Sequence, residues 1–380
     1  LVFSLWRTLL EKRPTSAFIH REALRFNYRQ LRSMVPAGTA IMAVVKANAY
    51  GHGDVEVARV LEGLGSEFLG VAIPEEGARL REAGITRPIA VLGGIFPDQA
   101  GAVFDYGLTP VVFDIRTARS LDSEARKRGA LKEIHVKIDT GMGRLGLLPD
   151  EAGLFFAGVK ELPNLRVEAV LSHLAESENE DKGFSLAQLA AFQRCVEDIR
   201  RMGFDPLFTE IANSAAIMGL EGSRHSLVRP GVALYGSYPA TRLREKLELK
   251  QVLELKTRIL HLKSVPPGFS ISYGRRFVTK RQSLVATLPI GYADGLPRRL
   301  EGKGEALVGG RRVPLVGAIC MDLAMADVTD VPDVKAGDEA VIIGSQGTET
   351  ITAEEVAGKA GTISYEIFCG ISERVPRMYL

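Results

Sequence analysis

Between residues 40 and 236, short runs of branched apolar residues alternate with longer stretches in which apolar residues recur every three or four positions among charges. The first pattern is that of a strand buried on both faces, and the second is that of a helix with one face on a core. The apolar runs cover 41–47, 68–73, 88–93, 110–113, 134–139, 167–174, 207–212 and 227–235, eight in all. Helical spacing shows most clearly over 54–64, 75–83 and 186–201. Eight strand-then-helix units predict a closed parallel (β/α)8 barrel, a fold whose active sites lie at the carboxyl ends of the strands.

Beyond about residue 245 the texture changes. Runs at 253–265, 283–290, 306–316 and 339–344 are strand-like and punctuated by Gly and Pro, which predicts strands joined by turns. One helix is expected there, over 352–358, opened by Thr352 with Glu355 three positions on. The chain therefore reads as α/β: a barrel domain over 14–240 and a mostly β C-terminal domain over 245–380, which the N-terminal segment 1–13 is expected to join. A length of 380 residues is more than one ordinary core needs and suits two.

Composition narrows the function classes. Apolar residues make up 46% and charged residues 25%, so a globular fold is expected rather than a disordered or fibrous chain. Lys and Arg number 48 against 46 Asp and Glu, with no basic run, which argues against a nucleic-acid partner. Cys195, Cys320 and Cys369 form no C-x-x-C pair, so neither a metal site nor a redox pair is expected, and a reduced, cytoplasmic setting fits. The apolar opening over 1–11 is short and followed by Lys12 and Arg13 without a small-residue cleavage site, so neither a signal peptide nor a membrane span is expected.

Candidate chemistry begins at Lys46, which ends the apolar run Ile41-Met42-Ala43-Val44-Val45. Burial disfavours the ammonium form, and a neutral amine at the end of a barrel strand can attack an aldehyde; an ordinary snorkelling lysine is the bland alternative. The turn that follows, Ala47-Asn48-Ala49-Tyr50-Gly51-His52-Gly53, has two glycines, a hydroxyl and an amide, a composition suited to an anion and also to a tight loop. Ser214 after the seventh run and Gly231 and Val232 in the eighth stand where such barrels bind phosphate. Asp139-Thr140-Gly141-Met142-Gly143-Arg144 delivers an arginine matched to a carboxylate or phenolate, or else a solvated arginine on a surface turn. His173 is positioned to stack on a flat cofactor, although a histidine in an apolar strand is commonly a satisfied core residue.

At Ala43-Val44-Val45-Lys46-Ala47-Asn48-Ala49-Tyr50-Gly51-His52-Gly53 the chain closely resembles the cofactor-lysine motif of alanine racemases. The resemblance continues in family order through 137–146, Ser172-His173, 212–215, 228–236, Ser272-Tyr273-Gly274, 290–295 and Cys320-Met321-Asp322, covering nearly the whole chain. It implies a fold-type III enzyme dependent on pyridoxal 5'-phosphate, built as a head-to-tail homodimer in which each β domain covers the partner's barrel mouth. The implied activity is the interconversion of L- and D-alanine, an isomerase reaction supplying D-alanine for peptidoglycan.

By the same resemblance Lys46 is the Schiff-base lysine, and Tyr50, Asn213, Ser214, Gly231, Val232 and Tyr365 belong to the cofactor site, most of them around its phosphate. Arg229 would face the pyridine nitrogen, His173 would pack on the ring, and Arg144 would reach the phenolic oxygen and the substrate carboxylate, which the Met321 backbone N–H would also hold. Lys137 corresponds to a lysine that is carbamylated in some members. Racemisation needs a proton handler on each face of a planar carbon, and the resemblance assigns D-alanine to Lys46 and L-alanine to Tyr273 of the partner subunit. A free tyrosine titrates near pH ~10, so its hydroxyl must be tuned by neighbours, for which His173 and Arg229 are candidates. Without the resemblance, Ser272-Tyr273-Gly274 reads as an ordinary hairpin turn.

Two stretches depart from the family pattern. Ala318 stands where an arginine or similar polar residue is frequent, and Ala17-Phe18-Ile19-His20 replaces the usual Trp-x-x-Ile-Asp. A broad-specificity racemase would share the same chemical groups. Decarboxylases of this plan carry a different C-terminal Cys segment, a non-catalytic pyridoxal-phosphate carrier would lack the β domain, and a lysine-dependent aldolase would need only the barrel and Lys46.

Overall fold

The computed structural model describes residues 13–380, which divide into two compact units. One consists of Arg25–Ala49 and Asp54–Leu249; the other combines residues 13–24 with Tyr50–Gly53 and Lys250–Leu380. The expected role of 1–13 lies outside the described residues except for Arg13, which pairs with Asp294 at 2.7 Å within the second unit. Strand β1 (Ser16–Ile19) also belongs to the second unit, although the sequence places it at the head of the barrel domain.

The first unit is the eight-stranded closed barrel. Its strands are β2 (Ala40–Val44), β3 (Phe68–Val71), β4 (Ile89–Val91), β5 (Thr109–Val112), β6 (Lys132–Lys137), β7 (Leu165–Leu171), β8 (Phe208–Glu210) and β9 (Leu227–Val228). All neighbours are parallel, and Ala40↔Leu227 and Ile41↔Val228 close the ring. An eight-stranded barrel is just wide enough for side chains to fill, and here large Met42 and Phe68 interleave with small Ala40 and Ala90. The expected helices are present as Asp54–Gly63, Pro74–Glu82 and Gly183–Arg201. Helix Ile115–Arg128 shows how sequence sets an element's ends: the Asp114 side chain accepts from Thr117 N, and Gly129 stops it at φ 62°. The eighth apolar run is strand only at Leu227–Val228 and turns at Val232–Tyr235 into a 3-10 helix, because Pro230 has no N–H to extend a ladder.

In the second unit, β1 pairs antiparallel with β10 (Leu253–Arg258). The remaining strands are β11 (His261–Val265), β12 (Ser270–Ile271), β13 (Phe277–Val278), β14 (Ser283–Leu288), β15 (Glu305–Val308), β16 (Arg311–Pro314), β17 (Ala324–Asp327), β18 (Glu339–Gln346), β19 (Glu349–Ile351) and β20 (Arg377–Tyr379). The main sheet runs β16-β15-β18-β10-β1-β20, with β19 on β18; β11-β14-β17 and β12-β13 form smaller sheets. The run 306–316 folds as a hairpin because Gly309 and Gly310 supply two consecutive positive φ angles, 57° and 74°. Thr352 caps helix Ala353–Ala360 by accepting from Glu355 N. A second helix, Ser364–Gly370, was not expected; its N-cap is Ile363, which offers no capping side chain and so leaves no start signal in the sequence.

Candidate active site

Lys46 follows β2, all five of whose residues are buried, and is itself half-buried. The chain then makes a left-handed turn: Ala47, Asn48, Ala49 and Tyr50 have φ between 52° and 54°. Such a conformation costs about 1–2 kcal/mol per non-glycine residue and persists only where the surroundings hold it. Within the barrel unit the turn is held at several points. Ala47 N donates to Glu76 Oε1 at 2.6 Å, Ala49 N to Val45 O at 2.8 Å, and Asp54 N to Asn48 Oδ1 at 3.0 Å. Glu76 is anchored in turn by Ala72 N, 2.7 Å from Oε2. The position of Lys46 is thus fixed by its own strand and by the next βα unit.

Lys137 ends β6 and is buried. Burial, then the nearby Arg229 and Arg144, push its amine down to about 8. Two residues on, the Asp139 carboxylate accepts from the backbone N–H groups of Gly141, Met142, Gly143 and Arg144 at 2.8–3.1 Å. Burial opposes ionisation of Asp139, and these four donors outweigh it, holding the carboxyl below its ordinary value. The glycine-rich loop is therefore a cradle around Asp139 that presents an exposed Arg144.

His173 lies two residues beyond β7 and Arg229 directly after β9. Arg229 is buried and fixed by both terminal nitrogens: one donates to Glu210 Oε2 at 2.6 Å, the other to Ser172 O at 2.6 Å, with His173 Nδ1 at 3.5 Å. Burial, followed by Arg229, Lys137, Arg144 and Lys46, holds His173 well below its ordinary value, so the imidazole is neutral at physiological pH. Those same four cations all lie near enough to act on His173, Arg229 at 3.5 Å. Asn213 caps helix Ser214–Gly219, and the buried Ser214 hydroxyl accepts from Gly231 N at 2.8 Å and from Ala233 N at 3.4 Å. Of the expected phosphate residues, Ser214 and Gly231 are therefore in direct contact.

The remaining candidates belong to the second unit. Tyr50 and Tyr365 stand with ring centroids 5.9 Å apart. Burial, then Tyr365 and Cys369, push the Tyr50 hydroxyl above its ordinary value, which leaves it a donor. Gly51, at φ 76°, is required here, since a Cβ would collide with the Phe368 carbonyl. Tyr273 is 75% exposed on a turn in which Ser272 has φ 64°, and the Ser272 hydroxyl donates to Ala318 O at 2.8 Å. Met321 is also exposed, and its carbonyl accepts from Ala293 N at 3.0 Å.

Sequence reading missed Glu76, Glu210, and the pair His135 and Glu168. A signal for the last two existed: each is a titratable residue flanked on both sides by apolar ones, Ile134-His135-Val136 and Val167-Glu168-Ala169. Their significance depends on partners from other strands, which spacing does not reveal.

Comparison with known proteins places these observations. Residues 19–239 match the family model described as "Alanine racemase, N-terminal domain", and 252–379 match "Alanine racemase, C-terminal domain". An alanine racemase of Halothermothrix orenii is 47% identical over 367 residues, 97% of each chain. The solved alanine racemase of Clostridium difficile 630 superposes with a TM-score of 0.92 at 36% identity, covering 97% of this chain and 96% of that one. An alanine racemase from Bartonella henselae, solved with covalently bound pyridoxal phosphate, superposes with a TM-score of 0.85 at 31% identity, covering 97% of this chain and 99% of that one.

Proposed function

Because this chain belongs to the alanine racemase family, matched in both of its domains, we propose that it interconverts L- and D-alanine with pyridoxal 5'-phosphate bound in the barrel. The observation that carries this reading is the convergence of Lys46, Lys137, Arg144 and Arg229 on a neutral His173. Such an excess of cations suits a ligand bearing a phosphate, a phenolate and the carboxylate of an amino acid. The donor chemistry fits as well: the Ser214 hydroxyl, which accepts from Gly231 N and keeps its own proton to donate, would hold the phosphate with the Val232 N–H, assisted by Gly231, Asn213 and the hydroxyls of Tyr50 and Tyr365.

The cofactor, when bound, supplies the delocalisation that makes an amino-acid α-proton removable. Lys46 would bond it and, when displaced by substrate, carry the α-proton on the D face through Nζ. Tyr273 of a second chain would do so on the L face, a role suited to a side chain so exposed in the single chain. Arg229, whose guanidinium has donors and no acceptor, would donate to the ring nitrogen, limiting the electron withdrawal that favours side reactions such as transamination. His173 would pack on the ring, and Arg144 with the Met321 N–H would orient the substrate carboxylate. The homodimer, a cytoplasmic setting and the supply of D-alanine for peptidoglycan belong to the same reading; among the described residues no helix is long and apolar enough to cross a membrane.

Lys137 is the proposed carbamylation site. A buried amine titrating near 8 keeps a reactive neutral fraction at neutral pH, and the carbamate would place negative charge beside Arg144 and Arg229. A carbamate resonance is expected in 13C NMR after incubation with labelled bicarbonate, and it should be missing from Lys137→Ala; no such resonance in the unaltered protein rules the modification out.

The activity is tested by proton NMR of the protein with pyridoxal phosphate and L-alanine in deuterated water, coupled to a chiral assay. Exchange of the α-proton with D-alanine rising toward equal amounts is the expected result. A bound chromophore without exchange would point to another amino acid or a carrier role, and no chromophore would remove Lys46 from its assigned part.

A further inference from the structure

Beneath the proposed cofactor site, four charged side chains cross four adjacent barrel strands. His135 on β6 is fully buried, with Nε2 3.1 Å from Glu168 Oε2 on β7 and Nδ1 3.1 Å from Glu210 Oε1 at the end of β8. The other oxygen of Glu210 accepts from Arg229 at 2.6 Å, just past β9. His135 and Lys137 are two residues apart on one strand, so they share the inward face, and the Phe68 ring closes on the imidazole at 5.7 Å. The charged groups around His135 are thus Glu168 from β7, Glu210 from β8, Arg229 beyond Glu210, and Lys137 on its own strand.

A neutral imidazole has one N–H and one lone pair. With a carboxylate oxygen 3.1 Å from each nitrogen, the neutral form would set a lone pair against an anion, whereas the imidazolium donates to Glu168 through Nε2 and brings its positive charge against Glu210 through Nδ1. Glu210 has no exposure and would be costly to ionise alone; two cations flank it, one at each oxygen. Arg229 in turn is held at both terminal nitrogens, by Glu210 and by the Ser172 carbonyl. Taken together, Glu168, His135, Glu210 and Arg229 alternate in sign and sum to zero.

Resting on the cofactor assignment above, we propose that His135 is a positioning residue for Arg229: as an imidazolium clamped between Glu168 and Glu210, it keeps Glu210 ionised and so fixes the guanidinium that faces the cofactor ring. The direction of the proton equilibrium agrees. Burial alone would lower His135, yet Glu168 and Glu210 outweigh it and push the ring up to about 9. Glu210 is held below its ordinary value despite burial, chiefly by Arg229 and His135.

The test begins on the unaltered holoenzyme labelled with 15N-histidine, in which five other histidines are assigned by substitution. His135 is expected to show two protonated ring nitrogens at pH 7.5; a neutral ring there overturns the proposal without any substitution at His135. The second measurement uses 15N-labelled pyridoxal phosphate in His135→Gln, Glu210→Gln and the double variant. The ring-nitrogen resonance of the bound cofactor should move in both single variants, with kcat/KM falling on the order of tenfold in each, as when one charged hydrogen-bond partner is lost. In the Glu210→Gln background, His135→Gln should add less than about twofold, since residues acting through one another are not additive. Independent, multiplicative losses, or an unmoved ring-nitrogen resonance in a loaded His135→Gln protein, would overturn it. Failure of the unaltered protein to bind pyridoxal phosphate would refute the cofactor assignment instead, while the histidine spectrum still reports the charge arrangement.

Discussion

At the scale of single residues, the proposed chemistry separates into groups that handle protons and groups that keep them in place. Tyr273 is the clearest of the former: Tyr273→Phe should slow α-proton exchange from L-alanine in deuterated water far more than exchange from D-alanine, and equal losses would remove the two-base assignment. His135 is of the second kind and leaves a signature in stability. Its folded pKa of about 9 lies above the ordinary 6.5, so its contribution is fully present below pH 6.5 and is lost as pH rises through 9. The buried Lys132 and Lys137, pushed down to about 8, act oppositely and gain stability as pH rises above that value. Thermal unfolding of the unaltered protein and His135→Gln, compared across pH 6 to 10, isolates the histidine. The difference between them should shrink as pH rises, and a constant difference would show a neutral or unshifted His135. The residues that sequence reading found, Lys46, Arg144, Ser214 and Arg229, sit in motifs with their own composition; Glu210 and Glu76 went unseen because each matters only through a partner 19 or 29 residues away.

At the scale of elements, strand and helix existence was legible and their ends were less so. All eight barrel runs became strands because branched apolar residues buried on both faces leave few other folds. The run 41–47, however, is strand only to Val44, and its last residue, Ala47, opens a left-handed turn. Nothing in Ala-Asn-Ala-Tyr demands that conformation; hydrogen bonds donated by Ala47 N to Glu76 and by Asp54 N to Asn48 sustain it. Glycines at positive φ differ in what they tolerate. Gly51→Ala meets both a positive φ of 76° and the Phe368 carbonyl, and should destabilise by about 2–5 kcal/mol. Gly107→Ala, with φ 56° and open space around it, should cost only about 1–2 kcal/mol. Thermal midpoints of the two variants check the contrast, and equal shifts would mean that the carbonyl yields easily.

At the scale of the whole molecule, the proposed active site draws on two chains, and this has a direct consequence in mixtures. Homodimers of Lys46→Ala and of Tyr273→Phe are each expected to be impaired, yet a mixed dimer contains one site with both residues intact. Random reassortment after partial unfolding should therefore restore about a quarter of the unaltered activity, because half the dimers are mixed and half of their sites are complete. No recovery would place both residues in one chain. Sequence by itself determined the barrel, the β domain and the proposed cofactor lysine, because periodicity, turn residues and motif order are local properties of the chain. Tertiary structure alone decided that β1 joins the sheet of the C-terminal unit, that Tyr50 stands beside Tyr365, and that Glu168, His135, Glu210 and Arg229 form one buried line. Each of these rests on the energy of a pair brought together by folding, which is a function of distance in space and has no trace in the spacing of either partner along the chain.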